Sequence, residues 1–254
     1  MLAVAPDVEI MTAFAVGCVL FFLTIQSILS WRKVPQTQIS CIISLVHHVS
    51  VTVYCLSCNY SFMTLLHSSF LSSVLPCDAR LYSTPSIYYS GIFTIVYLAF
   101  DMLFDLVPNM SKNKLLIFHH INGVVLVWYS LITHYGEYMV YICHIMEISS
   151  IFLSIKELLK FYEAPEGLKL ANDMAFAFSF LVVRIYVTLA SVFMLTGMYN
   201  NDCFQFGTLT LLDVLIMYTT VLYCVLTTFW SCGIIKKMYG VVTGRRGTHK
   251  TKTQ

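Results

Sequence analysis

Long apolar stretches follow one another along the chain, and short polar or turn-forming segments separate them. An apolar stretch of about 18 residues or more is long enough to cross the hydrocarbon core of a bilayer as an α-helix. Pro85, Pro108, Gly136 and Pro165 lie at or near the ends of such stretches, where helix-terminating residues are expected. The pattern predicts an all-α protein with seven transmembrane helices, over Val8–Ser30, Gln38–Tyr60, Ser86–Val107, Leu115–Thr133, Tyr138–Leu158, Asp173–Thr196 and Thr208–Ser231.

A shorter apolar segment, Phe62–Leu75, lies between the second and third predicted helices. At about 14 residues it is too short to cross the bilayer. We therefore expect an interfacial or re-entrant helix at this position.

The composition supports an integral membrane protein and leaves no room for a separate soluble domain. Of the 254 residues, 58% are hydrophobic and only 11% are charged. Thirteen of the fifteen Lys and Arg residues follow odd-numbered helices. Because cytoplasmic loops carry the excess of Lys and Arg, we expect a cytoplasmic C-terminus and a lumenal or external N-terminus.

Two of the nine cysteines fall in connections assigned to the oxidising side of the membrane, namely Cys77 and Cys203. Disulfides persist in such compartments. The sequence is compatible with a disulfide between Cys77 and Cys203 and equally with two free thiols.

Six of the seven predicted helices carry ionisable side chains. Such groups are costly in lipid and normally face a bundle interior or a wet cavity, so they mark candidate functional residues. Their spacing places some pairs on one helix face, since residues three or four apart are neighbours. We therefore expect a polar cavity within the bundle, lined by His47, His48, Asp101, Asp105, His119, His120, His144, Glu147, Arg184 and Asp213.

The chemistry favoured by these residues is general acid–base catalysis. A carboxylate can orient an imidazole, which then takes a proton from an amine or a hydroxyl. A metal site is not favoured, because no pair of histidines has the spacing that puts two imidazoles on one helix face. Arg184 could hold a phosphate or carboxylate, or it could neutralise a buried carboxylate of the bundle.

The sequence resembles the TLC-domain family, which includes ceramide synthases and translocation-associated membrane proteins. The resemblance covers roughly Gln38 to Lys236. It divides the chain into an N-terminal helix and loop (1–37), a TLC domain (38–236) and a basic tail (237–254). The order and spacing of several segments carry it: Ile39–His48, Ser90–Phe93, Phe100–Leu103, Phe118–Gly123, Glu147–Phe152, Asn172–Phe180 and Arg184–Tyr186.

The match looks closest to the small branch of the family that lacks synthase activity. In the synthases, a threonine follows the histidine pair after two intervening residues, whereas Gly123 stands at that position here. Downstream the chain has His144 and Glu147 where the synthases have a His-Asp pair. The resemblance implies six helices around a lipid-accessible cavity, an endoplasmic-reticulum-type membrane and acyl-CoA as the acyl donor of any enzyme.

Two functions are therefore expected from the resemblance and the polar residues. The first is an acyl-CoA-dependent lipid acyltransferase, and the alternative is a non-enzymatic lipid-binding regulator of membrane composition. We expect membrane lipids and acyl-CoA as partners, no nucleic acid, and neither a metal nor a tightly bound cofactor; a homodimer stays open. We expect His119 or His120 to act as the base, with Asp101 as its orienting group. His144 and Glu147 are expected at the polar end of an acyl tunnel. The residues expected to bind the substrate are Arg184, His48 and Asp213.

Overall fold

The computed structural model describes residues 7–58, 85–108, 110–133, 137–200 and 211–243. The predicted short helix at Phe62–Leu75 lies outside these ranges, as do Cys77 and Cys203. Seven α-helices, one π-helical turn and no strand account for the regular structure of the described part, which confirms the all-α prediction. The α-helices are α1 (Val8–Trp31), α2 (Gln36–Cys58), α3 (Pro85–Asp101), α4 (Met110–Thr133), α5 (Glu137–Phe161), α6 (Glu166–Asn200) and α7 (Leu211–Val242).

The helices have the length and composition of membrane-spanning segments. Within the described residues, every helix except α5 contains a stretch long and apolar enough to cross a bilayer. Helix α5 has 25 residues, so it is about 37 Å long and exceeds the thickness of the hydrocarbon core. The chain is therefore a polytopic integral membrane protein.

Six helices form a closed ring, and the first helix lies outside it. Around the ring, each helix contacts the next in the order α2, α5, α6, α7, α4 and α3, and α3 contacts α2 again. The most extensive contacts join α5 to α2 and to α6, and α5 also touches α4 across the ring. Helix α1 packs on the outside of α3 and α2, where Phe22 stacks on Phe93 with ring centroids 5.3 Å apart.

The α3–α4 contact depends on two glycines that face leucines in a reciprocal arrangement. A side chain added at Gly91 of α3 would meet Leu131 of α4, with its Cβ 2.9 Å from the nearest leucine carbon. In the same way, Gly123 of α4 faces Leu98 of α3 at 3.2 Å. Small residues at helix contacts let membrane helices approach closely, because packing replaces the hydrophobic effect as the driving force in lipid.

The turns that leave α1 and α5 have the same backbone geometry. The amide of Val34 donates to the carbonyl oxygen of Leu29, and the amide of Ala164 donates to that of Leu159, each over 3.0 Å. This six-to-one bond defines the Schellman motif, in which the preceding residue adopts a left-handed conformation. That residue is not glycine in either turn: it is Lys33 (φ 59°) in the first and Glu163 (φ 49°) in the second.

Candidate functional site

The first site residue, Asp101, lies where α3 changes its winding. Residues Met102–Leu106 form a π-helical turn after it, closed by a bond of 2.8 Å from the amide of Val107 to the carbonyl oxygen of Met102. Such turns are rare in proteins and are frequent at functional sites. The carboxylate of Asp101 is buried and lies 3.0 Å from Nε2 of His120 on α4.

His120 has an acceptor against each of its ring nitrogens. Its Nδ1 lies 3.0 Å from the carbonyl oxygen of Leu116, and its Nε2 faces Asp101. A carbonyl oxygen only accepts, so Nδ1 carries a proton. Nε2 lies close to the carboxylate but does not have the alignment of a hydrogen bond with it. The carboxylate nevertheless occupies the space next to this nitrogen, so a substrate proton has less access to His120 than to His119.

His119, the neighbouring residue, has a different environment. Its ring lies edge-on to Trp230 of α7 at 5.2 Å and near Tyr223 at 6.2 Å, measured between ring centroids. Its Nδ1 is buried and has no hydrogen-bond partner among the described residues. Tyr223 also accepts a hydrogen bond from Arg184, so His119 and Arg184 lie near the same tyrosine. Of the two adjacent histidines, His119 is therefore the one that remains available to a bound molecule.

Arg184 lies within the part of α6 that spans the membrane and is buried, with 5% of its surface exposed. Its guanidinium group donates to the hydroxyl of Tyr223 and lies 3.6 Å from the sulfur of Met146. The face of Phe180 lies 4.9 Å from the guanidinium carbon. Sequence analysis left open an ion pair with a buried carboxylate; within the part of the chain whose side chains are described, none lies within 4 Å of Arg184.

A second group of polar side chains connects α2, α3 and α5 in a continuous series. Glu147 Oε2 lies 2.8 Å from His48 Nδ1, and that nitrogen lies 3.4 Å from His47 Nδ1. His47 Nε2 lies 3.3 Å from the hydroxyl of Thr94, which lies 3.0 Å from Nε2 of His144. His47 and His144 are fully buried. The series contains four residues identified from the sequence, His47 and His48 of α2 and His144 and Glu147 of α5. Thr94 of α3, which was not identified from the sequence, connects His47 to His144.

Three residues of the site were not identified from the sequence: Thr94, Tyr97 and Tyr223. Tyr97 stacks on His47 with ring centroids 3.8 Å apart and donates to the hydroxyl of Ser44 over 3.0 Å. Thr94 and Tyr97 precede Asp101 by seven and four residues, which places all three on one face of a helix. This spacing was a usable signal, whereas nothing in the sequence distinguishes Tyr223 from the other tyrosines.

Two of the predicted sites involve residues whose side chains the structure does not describe. The backbone of Asp213 belongs to α7, but its side chain lies outside the described residues, as do both cysteines of the predicted disulfide. Across the described ranges, no group of three or more His, Cys, Asp or Glu side chains is arranged to hold a metal ion.

One comparison with known protein families gives a match. The model of the TLC domain matches residues 38–236, which include nearly all of the ring of helices and every side-chain contact of the candidate site. The chain belongs to the TLC-domain family. Membership indicates a function related to membrane lipids. No curated protein sequence and no solved structure is found to match the chain.

Proposed function

We propose that this TLC-domain protein transfers an acyl group from acyl-CoA to the amine or hydroxyl of a membrane lipid. The observation that carries the proposal is the contrast between two adjacent imidazoles within one ring of helices. His120 has contacts at both nitrogens, while His119 keeps a buried nitrogen without a partner in the described part of the chain. A general base needs a free lone pair within reach of the proton that it takes.

In the proposed reaction, His119 takes the proton of the acceptor amine or hydroxyl as the nitrogen or oxygen attacks the thioester carbon. The new C–N or C–O bond forms, the C–S bond breaks, and the proton passes from His119 to the departing thiolate to give free CoA. Asp101 fixes His120 and, through it, the segment of α4 that presents His119. No metal or redox cofactor enters this balance.

The other candidate residues belong to substrate binding in this proposal. The series from Glu147 to His144 forms the polar end of the acyl tunnel, where donors and acceptors meet the thioester and the acceptor group. Arg184 is assigned to binding the substrate head group, and His48 and Asp213 are assigned to other parts of substrate binding. His48 contributes through its contact with Glu147, since that contact occupies its Nδ1.

The test is release of free CoA by the purified protein supplied with an acyl-CoA and lipid acceptors, measured by mass spectrometry. Mass spectrometry is preferred to thiol reagents because the chain has nine cysteines of its own. His119→Ala is expected to lower turnover by about 100-fold or more, the usual contribution of a general base. Ile121→Ala, at an exposed position of the same helix, is the matched control and should retain activity. Full activity of His119→Ala would refute the assignment of the base.

A second candidate function is a non-enzymatic regulator that binds lipid and controls membrane composition. The observation that favours it is the number of histidines that already have polar partners, namely His47, His48, His120 and His144. Such contacts would give the bundle a fixed polar interior without any reaction. This function predicts no CoA release from the wild-type protein, together with a defined lipid species that co-purifies with it.

We further propose that the protein resides in the endoplasmic reticulum with its C-terminus in the cytoplasm. The distribution of Lys and Arg supports this orientation. A glycosylation acceptor sequence added to either end tests it, because only the lumenal end can be modified. We expect modification at the N-terminus and none at the C-terminus.

A further inference from the structure

Arg184 is a buried cation whose described contacts are all neutral. A tyrosine hydroxyl, a methionine sulfur and the faces of Phe180 and Tyr223 surround its guanidinium group. Its Nε is buried and has no hydrogen-bond partner among the described residues. Cation–π contacts offset part of the cost of burial, but removal of a charge from water without a counter-ion costs more than they supply.

Among the described side chains, no carboxylate supplies that counter-ion. Asp101 lies against His120 and Glu147 lies against His48, and neither comes within 4 Å of Arg184. The side chain of Asp213 lies outside the described residues.

A further buried polar atom without a partner lies on the face of α7 that meets Arg184. Thr220 and Thr227 flank Tyr223 at spacings of three and four residues, so all three share one helix face. The hydroxyl of Thr220 is buried and has no partner in the described part of the chain, whereas that of Thr227 lies beside the hydroxyl of Tyr223. Together with Nδ1 of His119 and Nε of Arg184, the Thr220 hydroxyl gives three such buried atoms in this region. Buried polar groups are normally satisfied, so these atoms indicate a missing polar ligand.

We propose that this region binds the anionic head group of an amphiphile, a carboxylate or a phosphate, with Arg184 as its counter-ion and Thr220 and His119 as further contacts. A guanidinium group is suited to this role because its planar fork can donate two parallel hydrogen bonds to either anion. The proposal rests on the proposed function in one respect: it assigns an anionic head group to the substrate of the same site.

The test is a titration of the purified protein in a neutral detergent, followed by native mass spectrometry. Four probes separate the sources of the anion: oleate, oleoyl lysophosphatidate, inorganic phosphate and neutral oleyl alcohol. We expect oleate or the lysophosphatidate to bind about tenfold more tightly than oleyl alcohol, which corresponds to one charge-assisted contact. Stronger binding of one of the two identifies the head group as carboxylate or phosphate. Binding of inorganic phosphate at similar affinity would overturn the requirement for an amphiphile.

Arg184→Met should remove the preference, since it keeps much of the side-chain volume and removes the charge. Arg184→Lys should retain part of it. The matched control is Lys169→Met, which removes a cation near the start of the same helix and should leave the preference unchanged. An unchanged preference in Arg184→Met would overturn the proposal, as would equal affinity of the wild-type protein for oleate, lysophosphatidate and oleyl alcohol. The wild-type comparison decides the question if the variant does not fold.

The outcomes for the two proposals are separable. If the protein releases no CoA but prefers the anionic probes, the anion site stands and the acyltransferase falls. If it releases CoA but does not discriminate between the probes, the acyltransferase stands and the anion site falls.

Discussion

His48 of α2 and Glu147 of α5 lie 2.8 Å apart, between two helices that make the most extensive contact in the bundle. Both side chains are largely removed from solvent. A carboxylate and an imidazole in such surroundings stabilise each other, whereas either one alone is costly to bury. The pair therefore contributes to the choice of register between α2 and α5, in addition to any part in substrate binding.

Removal of one member of this pair is expected to destabilise the bundle. We expect Glu147→Ala to lower the free energy of unfolding by about 3 kcal/mol, measured by titration with a denaturing detergent. The double variant with His48→Ala should lose less than the sum of the single changes, since the second change removes a group already left without its partner. Glu157→Ala, at an exposed position of α5, is the control and should change little. Additive effects would contradict the coupling.

The hydroxyl of Thr94 is expected to be essential to the contact between His47 and His144. Thr94→Val keeps the shape of the side chain but leaves two buried imidazole nitrogens without a partner. We expect a loss of about 2 kcal/mol in the same unfolding measurement. Thr94→Ser keeps the hydroxyl and should recover most of the loss. Equal effects of Val and Ser would show that packing, and not the hydroxyl bridge, is responsible.

Because α3 and α4 are in close contact, the position of Gly91 should not tolerate a large side chain. A leucine at this position has to displace Leu131, and we expect Gly91→Leu to destabilise the protein by about 1–3 kcal/mol. Gly17, in α1, has no atom within 4 Å of an added Cβ. Gly17→Leu should therefore be neutral or stabilising, because leucine favours the helix more than glycine does. Comparison of the two thermal midpoints checks the prediction, and equal losses would contradict it.

Both left-handed turn residues should accept glycine with a gain in stability. Lys33 and Glu163 adopt a backbone conformation that costs a side-chain-bearing residue about 1 kcal/mol. We expect Lys33→Gly and Glu163→Gly each to raise the thermal midpoint relative to the corresponding alanine variant, which removes the charge but keeps the Cβ. If a glycine variant has a thermal midpoint at or below that of its alanine variant, the turn in question does not adopt this conformation in the membrane.

Much of the secondary structure could be predicted from the sequence, and the polar residues of the bundle could be identified. Apolar stretches interrupted by Pro85, Pro108 and Pro165 leave little choice but helices, since lipid offers the backbone no other hydrogen-bond partners. The pairing of the polar residues could not be predicted. Helical spacing places His144 and Glu147 on one face of α5, but it does not say that Thr94 meets the first and His48 the second.

The sequence by itself determined that the chain crosses a membrane as helices and that costly ionisable groups lie within those helices, because hydrophobic length and charge are local properties. Only the tertiary structure decided which groups meet, because the closed order of six helices brings together residues that are far apart in the chain, such as His119 and Trp230. Within the described residues, that order leaves His120 between a carbonyl and a carboxylate oxygen, His119 with an Nδ1 that has no partner, and Arg184 without a counter-ion. These differences arise from a distance of a few ångströms between side chains on different helices, which no pattern along one helix encodes.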